Sequence, residues 1–227
     1  MEPLDNPIWH ALTGPQAEFS QGSGLALRYD PEVSVFAGLP DHAGPDAWDA
    51  LRTVVGPGEG VVLMRKGLEL PEGWEMLWSL EGHQYVGPDN FADSTRAGEF
   101  VALGNADVPE MLALVERTKP GPFVKRTVEL GPYLGLRDDA GNLVAMAGIR
   151  MRPAGYAELS AVCTDDAYRG RGLATALMRV VAAQVVARGE QPILHVASDN
   201  TNAILLYEHL GFTRRLTERF TLARTPY

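Results

Sequence analysis

Between residues 169 and 174 the chain reads Arg169-Gly170-Arg171-Gly172-Leu173-Ala174, and this stretch decides how the carboxyl-terminal half folds. The run 157–164 before it has the β-branched and apolar content of a strand. After it, Leu173, Leu177, Val180, Val181 and Val185 recur at helical spacing as far as Gly189, which offers a left-handed stop. A glycine-rich bend between strand and helix leaves the first helical N–H groups without intrahelical partners, so several donors converge on one point. Gly170 and Gly172 remove side chains where an anion must approach the backbone, and Ala174 keeps the next turn small. Arg169 and Arg171 add positive charge. The stretch therefore predicts a pyrophosphate cradle. A P-loop needs Gly-Lys-Ser/Thr and a dinucleotide-binding turn needs a third glycine where Thr175 stands, so neither fits. A sharp strand-to-helix turn without a ligand is the alternative.

Working outward, 192–197 reads as a buried strand, and Ala203, Leu206, Tyr207 and Leu210 form one face of a helix that ends at Gly211. A strand over 212–223 closes the sheet. Upstream, 133–137 and 143–151 flank Asp138-Asp139-Ala140-Gly141-Asn142, a turn-forming run that predicts a hairpin. A strand at 100–103 and a helix at 107–117 precede it, with Asp107 as N-cap and Pro109 in the first turn. The first half predicts strands at 24–29 and 33–36 separated by Asp30-Pro31, a helix at 45–55 and a strand at 61–64. From 74 to 80 the period is two, which puts Trp74, Met76, Trp78 and Leu80 on one face of a half-buried strand. That face reads as core in preference to an acceptor pocket.

The 227 residues carry a net charge of −9, which argues against general affinity for nucleic acid. Acid is concentrated at the front: residues 1–95 hold 4 Lys and Arg against 15 Asp and Glu, whereas 96–227 hold 16 against 14. The division predicts an acidic amino-terminal α+β domain over 1–95 and a second domain over 96–227, and an acidic surface suits an amine partner. The one cysteine, Cys163, permits no internal disulfide, and the five histidines lack metal-ligand spacing, so no metal is expected. Acid where a secretory signal carries base, and apolar runs too short to span a bilayer, predict a cytoplasmic protein with no membrane association.

Arg169, Gly172 and Ala174 as R-x-x-G-x-A, then Asn200, Ala203 and Tyr207 as N-x-x-A-x-x-x-Y with Gly211-Phe212, resemble the signature of the GNAT N-acetyltransferases. The stretch 158–164, Glu-Leu-Ser-Ala-Val-Cys-Thr, further resembles the glycine N-acyltransferase-like branch of that superfamily. The resemblance covers about 96–227. It implies an α/β (α+β) fold with a mixed, mainly antiparallel, splayed sheet, preceded by a smaller region whose element order matches a degenerate half of the same fold. It implies an N-acyltransferase that moves an acetyl or other short acyl group from acyl-CoA to a primary amine by direct attack. Acetyl-CoA would contact Val162, Cys163 and Thr164 on the opened strand and Arg169, Gly170, Arg171, Gly172, Leu173, Ala174 and Thr175 at the pyrophosphate. Asn200, Ala203 and Tyr207 would complete its site. The Val162 N–H would face the thioester oxygen, and Tyr207 would act as general acid. Asp165-Asp166 stands where that branch has His-Pro, and two acids near a diphosphate are unfavourable unless they turn to solvent.

Each role has a structural competitor. Tyr207 also lies on the apolar helix face. Glu158, the only carboxylate in its strand, is the candidate base directly or through water, although a glutamate there is ordinarily exposed. His195 shares a side with Ile193 and Ala197 and reads as facing a helix in preference to the acceptor cleft. Cys163 reads as a small hydrophobe. The run Pro120-Gly121-Pro122-Phe123 is equally a substrate-gating loop or a plain turn. A small-molecule or amino-acid amine is the expected acceptor, and pairing into a homodimer is common in the resembled superfamily. A protein-amine acetyltransferase and a non-catalytic acyl-CoA-binding regulatory module are the alternatives.

Overall fold

A computed structural model describes residues 2–91 and 95–227. The amino-terminal segment comprises α1 (Pro7–Leu12), β1 (Ser20–Ser23), β2 (Ala26–Tyr29), β3 (Ala37–Gly38) and α2 (Pro45–Val55). Two long strands follow, β4 (Gly60–Arg65) and β5 (Glu75–Val86). The rest of the chain supplies β6 (Val101–Leu103), α3 (Val108–Thr118), β7 (Tyr133–Arg137), β8 (Leu143–Ile149), β9 (Tyr156–Thr164), α4 (Leu173–Ala187), β10 (Gln191–Ala197), α5 (Thr201–His209) and β11 (Thr213–Arg224).

The strands form a three-stranded sheet, β1-β2-β3, and an eight-stranded sheet of order β4-β11-β5-β10-β9-β8-β7-β6. Every neighbour in the large sheet is antiparallel except β9 and β10, which run parallel. Backbone pairing runs across residue 95, because β5 bonds to both β10 and β11 while β11 also holds β4. The acidic first part and the rest of the chain thus share one sheet.

Helix α4 packs on one face of that sheet, where Leu177, Met178, Ala182 and Val185 are fully buried against Ala145, Ala157, Leu159 and Leu194. Helix α3 covers the other face near Met146, Ala161 and Cys163. Helix α1 and β2 extend that cover over Met64 and Met151. The alternation of Leu159 towards α4 and Ala161 towards α3 does not follow the ordinary two-residue period, a first sign of irregularity in β9.

Most predicted elements form within a residue or two of their expected ends, including the hairpin. There the Asp138 carboxylate accepts from the Ala140 and Asn142 N–H groups at 3.0 and 2.8 Å, and Gly141 takes φ +88. Two expectations fail. Residues 33–36 are not a strand: the Asp30 carbonyl accepts from the Val33 and Ser34 N–H groups, so the chain turns, and only Phe36 bridges to Val62. The row Met76, Trp78 and Leu80 is not core, being 52, 41 and 38% exposed, because β5 continues beyond the end of β10 with no layer over that face. Trp74 alone of the four packs inward, edge-on to Trp48 at 5.1 Å.

Gly148 in β8 lies against the Tyr133 ring, and a Cβ added there would meet ring carbons at 2.3 Å. Gly148→Ala should lower the urea unfolding free energy by about 1–3 kcal/mol, the ordinary cost of overpacking a filled core. An unchanged midpoint would show that the ring moves aside freely.

Candidate active site

Strands β9 and β10 pair only over Tyr156–Ile193 contacts at their start: Gln191 with Tyr156, Pro192 with Ala157 and Ile193 with Glu158. Beyond Glu158 they part, and the opening becomes a cleft. Its walls include Ser160, Ala161 and Val162 from β9, Val196 and Ala197 from β10, Trp78 and Leu80 from β5, and Tyr207 from α5. Lys119, Pro120, Gly121 and Pro122 close one end, so the predicted loop after α3 does border the cleft.

On the other side of β9 the ladder with β8 also slips. Gly148 faces Ser160 and Met146 faces Cys163, so two residues, Ala161 and Val162, stand opposite Ala147. Ala161 takes φ +51, one of two left-handed non-glycine residues among those described. Such a bulge twists the strand and releases a backbone amide from regular pairing, and strain of this kind concentrates at functional sites. Val162 lines the cleft at that point.

Strand β9 leads directly into the predicted cradle. Gly170 and Gly172 both adopt left-handed φ, +76 and +70, which explains why glycine is needed at each. Gly172 is the N-cap of α4, no side chain caps the helix, and the first intrahelical bond runs from the Ala176 N–H to the Gly172 carbonyl at 3.0 Å. The amides of Leu173, Ala174 and Thr175 consequently lack intrahelical acceptors. Space exists in front of the bend: a Cβ at Gly170 would meet nothing within 4 Å, and one at Gly172 would meet only Arg96 Nη1 at 3.9 Å. A diphosphate fits this donor set.

The flanking charges are already committed. Asp166 pairs with Arg169 at 2.8 Å, and Asp165 pairs with Arg117 at 3.1 Å while accepting from the Ala167 N–H. The two acids thus engage arginines and a turn amide, not the amides of α4. Arg171 stacks 4.7 Å over the Tyr168 ring. Arg96 donates from Nη1 to the Arg171 carbonyl at 2.9 Å and pairs with Glu99, which steadies the bend from far upstream. Sequence reading missed Arg96, since nothing local to residue 96 signals a contact so distant along the chain.

At the root of the fork lies a buried polar cluster. Glu158 is fully buried and takes two bonds from Arg150, at 2.9 and 2.6 Å, and one from His195 Nδ1 at 2.7 Å. Glu158 was expected as an accessible base; instead both its oxygens are occupied. Although burial opposes ionisation, Arg150 and His195 together hold its carboxyl down at about 2. His195 therefore turns towards Glu158 and is not packed against a helix, and its ring, 1% exposed, forms part of the cleft wall. The ring is flanked by Glu218 Oε1 at 3.4 Å, an oxygen with no properly directed donor, and by Gln84 Nε2 at 3.1 Å. Gln84 Nε2 also donates to the Leu4 carbonyl, and its second N–H can donate to His195 Nε2 only when that nitrogen carries no proton, which suits a neutral ring. Two carboxylates decide the balance and raise the imidazole to about 9 against the opposing effect of burial.

Of the other predicted residues, Val162, Asn200 and Tyr207 meet in the cleft wall. Asn200 also caps α5, its side chain accepting from the Ala203 N–H at 3.3 Å. Burial pushes the Tyr207 phenol up to about 12, so it remains protonated across neutral pH. Cys163 lies on the α3 side with its thiol pushed up to about 11 by burial, which disfavours the thiolate. The Thr164 hydroxyl is buried and without a hydrogen-bond partner among the described residues. Trp78 and Leu80 line the cleft although their face reads in sequence as core in preference to an acceptor pocket, and Lys119, which reads only as loop, joins them. No described helix is long and apolar enough to cross a membrane. No described group of three or more His, Cys, Asp or Glu is placed to hold a metal.

Comparison with known proteins agrees with this arrangement. The FR47-like protein family matches residues 133–221. N-alpha-acetyltransferase RimI of Mycobacterium tuberculosis is 40% identical over 134 residues, which cover 57% of this chain and 78% of that protein. Mycothiol acetyltransferase of Corynebacterium glutamicum is 37% identical over 76 residues, 33% of this chain but only 26% of that longer protein. The crystal structure of a candidate acetyltransferase of the GNAT family from Novosphingobium aromaticivorans covers both chains completely, with 41% identity and a TM-score of 0.88. A GCN5-related N-acetyltransferase from Kribbella flavida shares the fold at a TM-score of 0.64 and 17% identity, over 97% of this chain and 95% of that one.

The buried cluster sets a pH dependence. Glu158, held at about 2 against an ordinary 4.5, adds stability that is complete above pH 4.5 and fades as pH falls towards 2. His195, raised from 6.5 to about 9, adds stability that is complete below pH 6.5 and fades as pH rises through 9. Urea unfolding free energies should therefore plateau between these limits and fall on both sides. His195→Gln should remove the alkaline decline, and an identical decline in the variant would place its origin elsewhere.

Proposed function

Because the chain belongs to the GNAT family of acetyltransferases, we propose that it moves an acetyl group from acetyl-CoA to a primary amine by direct attack in the β9–β10 cleft. The observation that carries the reading is a pair of backbone features on consecutive elements, each of which releases amides from regular pairing. One set lies at the β9 bulge and the other, which begins eleven residues after Val162, at the uncapped start of α4. Acetyl-CoA supplies the activated acyl group as a thioester. The amides of residues 173–175 would hold the diphosphate, with Gly170 and Gly172 admitting it to the backbone. Val162, Cys163 and Thr164 would present β9 backbone to the pantetheine arm, and Asn200 and Ala203 would border it from α5.

In this reading the amine nitrogen forms its bond to the acyl carbon while negative charge grows on the carbonyl oxygen. The Val162 N–H stabilises that charge from a position fixed in advance by the bulge. As the carbon–sulfur bond breaks, the nitrogen gives up its second proton to solvent and the departing sulfur, hydrogen-bonded by the Tyr207 phenol, takes one up to leave as free thiol. A phenol held at about 12 gives its proton to a thiolate only against a gradient, so Tyr207 works chiefly as a hydrogen-bond donor to the developing charge.

Glu158 has no free oxygen for the amine, and a carboxylate held near 2 is a poor base. Its contribution is to fix His195 and Arg150 at the root of the cleft, while the amine sheds its proton to solvent before attack. The glycine N-acyltransferase-like branch rests on the resemblance of residues 158–164 alone. Trp78 and Leu80 give the acceptor an apolar wall, drawn from the acidic segment 1–95.

An amine panel with acetyl-CoA, read by release of free thiol, tests the assignment directly. Tyr207→Phe should keep coenzyme A affinity by calorimetry and lower turnover by roughly 10²-fold, the lower end of general-acid effects. Unchanged turnover would return Tyr207 to a packing role, and the absence of thiol release with every amine would leave a binding module.

A further inference from the structure

A second groove opens from the acceptor end of the cleft and shares Val62, Trp78 and Pro122 with it. Its far wall is made by the amino-terminal segment: Arg28, Pro31, Val35, Val55 and Glu59. Most of this wall is apolar. Arg28 and Glu59 are the exceptions. Arg28 lies on β2, is half buried, and donates only to backbone carbonyls, from Nε to Tyr29 at 3.3 Å and from Nη1 to Val55 at 3.2 Å. Those bonds orient the guanidinium without neutralising it, and among the described residues Nη2 makes no hydrogen bond.

The nearby acids do not fill that need. Asp30 and exposed Glu59 both attract Arg28 without reaching salt-bridge contact, and Asp30 is also held by Arg126 at 2.9 Å. Burial alone lowers the guanidinium's affinity for its proton, a measure of the solvation Arg28 has given up. A partly desolvated cation that Asp30 and Glu59 attract but neither contacts, in a groove that opens off a reaction cleft, is matched by an anion that arrives with the substrate.

We propose that Arg28 binds a carboxylate of the acceptor, so that the substrate is an amine with an apolar middle and a carboxylate at its far end. This rests on the acetyl-transfer reading for the placement of the amine. The amine would sit in the β9–β10 cleft, the apolar portion against Trp78, and the carboxylate at Arg28 Nη2. Amino acids and short peptides with a free carboxyl terminus have this chemistry. Of the acid in residues 1–95, exposed charges beyond about 8 Å are largely screened at physiological ionic strength, and Glu59 is the one acid among the described residues that lines this groove.

The test uses peptides of two to five residues, each made as the free acid and as the carboxyl-terminal amide. Binding is measured by calorimetry on the full chain with coenzyme A present. For the peptide whose length spans the groove, the acid should bind at least tenfold more tightly than the amide, and Arg28→Met should level the two. Arg28→Gln, which keeps a donor for the Val55 carbonyl, should level them as well, and the melting temperature of both variants is read alongside. Equal binding of acid and amide at every length, or a preference that survives both substitutions, overturns the proposal. Thiol release from acetyl-CoA with the same peptides separates the two ideas. Turnover without acid preference sinks the Arg28 site alone, whereas an Arg28-dependent preference with no thiol release sinks the transfer reading and leaves the anion site standing.

Discussion

The carboxylate of Glu158 is the constraint around which the sheet is arranged. It is fully buried where β9 and β10 stop pairing, and it is balanced by Arg150 and His195. A buried charge of this kind is tolerated only with near-complete hydrogen bonding, and loss of one partner typically costs about 3–5 kcal/mol. Through its partners the cluster ties the end of β8 to β9, β10, β11 and β5, and through Gln84 to the backbone of Leu4. Side chains thus secure the two strands where the backbone ladder ends, and the fork can stay open without the sheet splitting.

An open fork leaves amides without partners, which a protein ordinarily avoids. Here the exceptions lie together: the bulge at Ala161 and Val162, the left-handed glycines at 170 and 172, and the uncapped first turn of α4. Each costs stability in the free chain. A thioester oxygen and a diphosphate are the kinds of group that would satisfy them, so the local strain and the proposed chemistry share one origin.

The amino-terminal segment has a different part. It adds β4 and β5 to the large sheet, and it extends β5 past the end of β10, which leaves Trp78 and Leu80 on the cleft wall. It also carries Arg28 to the groove beyond. Donor-side features come mostly from residues after 150, with Arg96 and Arg117 reaching in from upstream, and acceptor-side features come mostly from residues before 81 together with the loop after α3.

The donor side was legible in the sequence because its physics is local. A glycine-rich bend between an apolar strand and an amphipathic helix can do few things, and the 3.6-residue spacing from Leu173 onwards fixed the helix itself. The hairpin at 138–142 was equally local, set by one aspartate and one glycine. Partners far apart in the chain were not legible. Glu158 looked exposed because nothing near it in sequence announces Arg150 and His195 as counter-charges, and the Met76-Trp78-Leu80 row looked like core because period-two alternation shows which residues share a face but not whether anything covers it. Sequence alone determined most of the elements and the glycine-rich bend at the start of α4; only the packing of distant strands decided which charges are buried, where the sheet opens and which side chains line the opening, because those depend on contacts that no local pattern encodes.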